Sequence, residues 1–182
     1  MKKYQKMLLA MVVMAALATG CQKNTAELNE EELITTVELK FTEMGTNNTS
    51  SVTFRDIDGD GGNPPATFDN IILAPNKTYN VSIELKDESK TPSLNITDEV
   101  EAEGEEHQLY YVPSAVNITV SNLNTDALGL PLGTTSRWAT GAASTGVVKV
   151  VLKHKPGGIK AAGDPITKGD TDVELDFNAR VQ

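Results

Sequence analysis

Three groups of residues in this chain have the types and spacing to do chemistry. The first is Asp56-Ile57-Asp58-Gly59-Asp60-Gly61-Gly62. Carboxylates at positions one, three and five of a tight loop can converge on Ca²⁺, which takes about six to eight oxygens; glycine at position six permits the sharp turn. Asp56, Asp58, Asp60 and Gly61 fit that opening. Position twelve is Thr67, where a helix-flanked calcium hand carries a bidentate Glu, so that hand is excluded. Asn63 or Asp69 would have to complete the shell. The competing reading is a solvated Asp/Gly hairpin turn. The second group is the pair of histidines. His107 follows the acidic run Asp98, Glu99, Glu101, Glu103, Glu105, Glu106 and shares a face with Leu109 and Tyr111; His154 shares one with Val148, Val150 and Leu152. If the two meet, then with a Glu they offer Zn²⁺ or Cu²⁺ a nitrogen and oxygen ligand set. Structural, hydrogen-bonded histidines are the alternative, since the pair has no H-x-H or H-x₃-H spacing.

The third is Cys21, the only cysteine. Ahead of it stand a basic start, Met1-Lys2-Lys3-Tyr4-Gln5-Lys6, an apolar run from Met7 to Ala18, and Thr19-Gly20. Those are the parts of a secretory signal, and the run falls short of the roughly 20 apolar residues a permanent span needs. Leu17-Ala18-Thr19-Gly20-Cys21 resembles the bacterial lipobox, which implies a thioether-linked diacylglycerol on Cys21 and cleavage before it. Exported domains otherwise use cysteines in pairs, so a lone one at the junction fits acylation. The expected organisation is a signal peptide over 1–20, a flexible acidic tether over 21–32 and one domain over 33–182. Gln22-Lys23 partly resembles the surface-export signal of Bacteroidota lipoproteins. The expected location is the cell envelope, on the outer membrane.

Removing residues 1–20 leaves 182 − 20 = 162 residues and, with Lys2, Lys3 and Lys6 gone, takes the formal charge from −9 to −12. Such a chain repels nucleic acid and suits cations. Expected partners are therefore the membrane, through the lipid, and a protein or glycan ligand. No thiol survives acylation and neither histidine lies in a nucleophile motif, so the chain reads as non-enzymatic. A carboxylate pair for glycoside hydrolysis would be invisible in sequence. The single Trp138 argues against a carbohydrate platform of several stacked rings and suits a core equally well.

The elements that must position these groups are strands. Leu33, Thr35, Val37, Leu39 and Phe41 alternate with polar residues, as do Tyr79, Val81, Ile83 and Leu85, and Val173, Leu175, Phe177, Ala179 and Val181. Period-two alternation belongs to antiparallel strands with one wet face. Shorter candidates are Ser51–Arg55, Thr67–Leu73, Gln108–Val112, Val116–Ser121, Ser136–Thr140 and Val147–His154. One short helix is expected, with Thr97 as its cap and Gly104 as its stop. The fold class is all-β: an antiparallel two-sheet β-sandwich of about eight to nine strands with at most one short helix. Gly157–Gly169 reads as a long loop.

The segments Glu30–Thr36, Asp56–Gly61, Asn76–Tyr79, Ile96–Val100, Glu106–Gln108, Thr140–Ala142 and Gly169–Val173, in that order, are similar to a family of small Bacteroidota lipoproteins. The resemblance covers nearly all of the mature domain, implies an envelope location and supplies no catalytic residue. Some members are described as having a type 1 periplasmic binding fold. That architecture has two α/β lobes with helix-linked parallel strands, which the alternation here does not match.

The leading expectation is thus a lipid-anchored, non-enzymatic binding module with Ca²⁺ stiffening the Asp56–Gly62 loop. A transition-metal protein using His107 and His154 comes next, then a glycan-binding or glycan-active module. Expressed in a Gram-negative host with an alkyne fatty acid, the chain is expected to take up the label, and Cys21→Ser to abolish it. An unlabelled wild type would remove the anchor.

Overall fold

Alternation in the sequence becomes alternation in burial. The computed structural model describes residues 33–59 and 61–182; Cys21, the expected signal and tether over 1–32, and Asp60 lie outside them. Strand β1 (Thr36–Glu43) buries Val37, Leu39 and Phe41 and exposes Lys40. Strand β5 (Thr78–Asp87) buries Tyr79, Val81, Ile83 and Leu85 and turns Asn80, Ser82 and Glu84 to solvent. Strand β10 (Ser144–His154) contributes Val148, Val150 and Leu152, and β11 (Asp170–Val181) contributes Leu175, Phe177, Ala179 and Val181. These rows form one core. Each large apolar side chain moved out of water is worth about 1.5–3 kcal/mol.

The remaining strands are β2 (Thr49–Arg55), β3 (Thr67–Phe68), β4 (Ile71–Leu73), β6 (Leu94–Asn95), β7 (His107–Ser114), β8 (Ile118–Ser121) and β9 (Thr135–Thr140). They make a seven-stranded sheet, β3-β2-β1-β5-β9-β8 with β6 also on β5, and a four-stranded sheet, β4-β11-β10-β7. The molecule is the expected all-β sandwich. Among the described residues the strands number eleven because Thr67–Leu73 divides at exposed Asp69 and Asn70 into β3 and β4, which join different sheets, and because two-residue β6 also pairs. Changing sheets there delivers β4 alongside β11 in the same direction, so that pair is parallel and the sandwich is not wholly antiparallel.

Aromatic rings line the seam between the sheets. Trp138 of β9 meets Phe41 of its own sheet at 5.3 Å and, across the seam, Tyr111 of β7 at 5.5 Å, while Phe68 of β3 meets Phe177 of β11 across it at 5.2 Å, all edge to face. Helix α1 (Ile96–Ala102) packs Ile96 and Val100 inward. Its N-cap is Asn95, whose Oδ1 accepts from Thr97 N at 3.1 Å; the expected cap, Thr97, instead accepts from Leu85 N at 2.7 Å. Asn95 sits one residue before the helix with extended backbone, where a capping oxygen must be, whereas Thr97 is already inside the first turn.

The loop between β10 and β11 is held by two buried ammonium groups. Lys155 donates to Gln108 Oε1 and Tyr110 Oη, each at 2.7 Å, and stands 3.4 Å from Asp164 Oδ2. Lys160 donates to Gly104 O at 2.6 Å and to Asp126 Oδ2 at 2.7 Å; both of these side chains are 1 % exposed. Asp126 Oδ1 accepts from Leu128 N and Leu130 N, so every charge has partners. Removing one member of a buried pair strands the other and typically costs about 3–5 kcal/mol. Asp126→Ala is expected to lower unfolding free energy by that amount in a urea titration; a loss below about 1 kcal/mol would show that Lys160 reaches water instead.

Candidate metal centre

His107 opens β7 and His154 closes β10, and the antiparallel register sets them directly opposite one another. Their rings stack, with centroids 4.6 Å apart and planes 8° from parallel. The structure therefore brings together the two residues that the sequence left 47 positions apart (154 − 107).

The turn after α1 orients the first ring. Glu103 is the helix C-cap; its backbone N–H donates to Glu99 O and its carbonyl accepts from Glu106 N at 2.8 Å. That carbonyl also lies 3.2 Å from His107 Nδ1. A carbonyl only accepts, so Nδ1 carries the proton and the acceptor lone pair of the neutral ring sits on Nε2. Burial pushes the His107 pKa below its ordinary value; the Glu103 carbonyl opposes that, and nearby His154 adds to it. A neutral imidazole whose second nitrogen donates to a carbonyl is the arrangement metal-ligating histidines adopt.

Carboxylates complete the cluster. One ligand atom from each of Glu103, His107 and His154 lies within 4.8 Å of the others. On the other side, Glu106 Oε2 stands 3.6 Å from His154 Nε2, which is buried and makes no hydrogen bond. Glu106 is aimed by Gly157, whose N–H donates to Oε1 at 2.9 Å, and its carbonyl accepts from Lys155 N at 2.6 Å. Two imidazoles with one or two carboxylates suit Zn²⁺ or Cu²⁺. The acidic run supplies the Glu; which members stand beside the histidines depends on where α1 ends, and Glu103 does so from an exposed position.

The Asp-rich loop is arranged differently from its sequence pattern. Asp56 is 7 % exposed, while Asp58 is exposed and Asp60 lies outside the described residues. Asp58 Oδ2 accepts from Asn63 N at 2.9 Å and from Asn63 Nδ2 at 2.7 Å, and these bonds, the backbone one first, hold its carboxyl below the usual range. A Cβ on Gly62 would come within 2.5 Å of that oxygen, so a larger residue there would displace the Asp58 carboxylate. Asn63 thus faces the loop with amide donors rather than its oxygen. Asp69 is occupied elsewhere, accepting from Thr53 N at 3.0 Å. Trp138 is fully buried, its Nε1 donating to Ser136 Oγ at 2.9 Å, and so offers no face to a sugar.

A depressed histidine pKa is a statement about stability. The unfolded state takes up the proton first, so the buried neutral His107 contributes stability above about pH 6.5 that is lost as pH falls through the folded-state value. In chelator-treated protein the urea midpoint is expected to fall between pH 7.5 and pH 5.5, and His107→Gln to flatten that slope while Glu103, Glu106 and His154 remain. An equal slope in the variant would assign the effect to other groups. No family model, curated protein or solved structure matches the chain.

Proposed function

We propose that this chain is a non-enzymatic binding module of the bacterial envelope, tethered through a lipid on Cys21, and that its ligand is a borderline divalent metal ion held by His107 and His154. The carrying observation is their direct cross-strand opposition beside Glu103, with the His107 tautomer set by the Glu103 carbonyl. The envelope location rests on the sequence of residues 1–21. Among the described residues, no helix is long and apolar enough to cross a membrane.

Parallel rings cannot both aim lone pairs at one ion, because each lone pair lies in its own ring plane. Capture therefore requires one imidazole to turn about χ2, a torsion with a broad, shallow profile. His154 is the side chain to turn: Glu106 flanks it, and its Nε2 has no hydrogen bond to break. Nitrogen distances of about 2.0–2.1 Å would follow, with a carboxylate in the third place and water or a partner's ligand in the fourth.

After chelation, loading with one equivalent of Zn²⁺ or Cu²⁺ and desalting, the full chain is expected to retain close to one ion by elemental analysis. His107→Ala and His154→Ala should each retain less than a tenth of that. Retention unchanged in both variants, or none in the wild type, overturns the reading.

A further inference from the structure

A cluster of oxygen donors stands elsewhere in the molecule, with different chemistry from the histidine pair. A cleft of about 440 Å³ opens where the end of β2 meets the start of β11. Its apolar wall includes Leu33, Phe54 and Leu175, and its polar side chains are Asp56, Thr171, Asp172 and Glu174. Every one of those ends in oxygen; among the described residues, no nitrogen- or sulfur-bearing side chain lines it. Glu174 is engaged outward with Lys149.

Two features are costly unless something is meant to enter. Asp56 is more than nine-tenths buried, and its Oδ1 accepts no hydrogen bond. A buried carboxylate oxygen without a partner carries a desolvation penalty that a bound cation would remove. The backbone of Asp56 is fixed, its N–H donating to Thr35 O at 2.8 Å, so the side chain is held in the cleft wall. The other feature is a β-bulge. Val173 faces Leu152 and Thr171 faces Lys153, which makes Asp172 the extra residue of β11. A bulge bends its strand and re-aims a side chain, here a carboxylate lining the same cleft as Asp56.

We infer that this cleft binds a hard divalent cation, Ca²⁺ above Mg²⁺, through Asp56 and Asp172. Water would complete the shell. Oxygen-only donors favour such ions over Zn²⁺ or Cu²⁺, and Ca²⁺ accepts an irregular shell where Mg²⁺ demands an octahedral one. The ligands come from different sheets, so the ion ties the open end of the seven-stranded sheet to the four-stranded one. This assignment differs from the loop pattern Asp56-x-Asp58-x-Asp60: the second anchor is in β11, more than a hundred residues downstream.

The test is calorimetry and thermal melting of the chelated full chain with CaCl₂, MgCl₂ and ZnCl₂. Wild type is expected to bind one Ca²⁺, with the melting temperature rising by about 5 °C or more at a hundredfold excess over Kd. Asp56→Asn and Asp172→Asn keep shape and remove charge; each should weaken Ca²⁺ binding at least tenfold. Asp56→Asn should also match or exceed the wild-type melting temperature in chelator, which shows that it folds. His107→Ala should leave the Ca²⁺ response intact, separating this site from the transition-metal one. An absent Ca²⁺ response in wild type, or a full response in both Asn variants, overturns the inference.

Discussion

The structure depends on a dry seam between two sheets. Rows from β1 and β5 face rows from β10 and β11, and residues such as Val37, Leu39, Val150 and Phe177 have no solvent contact at all. Because the side-chain period in a strand is two, a slip of one residue anywhere would turn a whole row outward, so register is fixed by the requirement to exclude water. The opposition of His107 and His154 inherits that precision. His107 faces His154 only because Leu109 must face Leu152 two residues along the same ladder.

Upon this seam a second, polar constraint acts at one corner. Lys155 and Lys160 are taken out of water, and each must be met by named oxygens. Their partners come from the turn after α1, from β7 and from the loop around Asp126, so the long β10–β11 loop is drawn against those elements. Burying an ion pair gives little net stability compared with apolar packing. It does fix geometry, and here it fixes the backbone of Gly104 and Glu106 that flanks His107. The corner is held by charges that tolerate few alternative partners.

How much of this was legible follows from the same physics. Strands with one wet face announce themselves by alternation, and β1, β5 and β11 were readable for that reason; so was the shared face of His107 with Leu109. The break at Asp69-Asn70 was not, because a chain that changes sheets keeps its apolar period on both sides. The cap at Asn95 was missed because Thr97 is equally good capping chemistry and only backbone angles separate them. Lys155 and Lys160 read as loop lysines, since composition marks lysine as exposed and its buried exceptions are decided by distant acceptors. The carbonyl of Glu103 that sets the histidine tautomer has no sequence signal, being backbone.

The two proposed cation sites lie along one strand pair. His154, the last residue of β10, pairs with Asp170, the first of β11, and the bulge at Asp172 follows at once. Without the bulge, strict alternation from Val173 back to Asp170 would continue the core face of β11 out to its end. The extra residue shifts the phase, so that Lys153 meets Thr171, its Nζ donating to Thr171 Oγ1 at 2.6 Å, while Asp172 is given to the cleft. The inserted residue lets β11 present a carboxylate to the cleft, while β10 runs in unbroken register with β7 to His154. The donor chemistry separates along a single strand pair, with imidazole nitrogens gathered at the His154 end of β10 and carboxylate oxygens beside the bulge of β11.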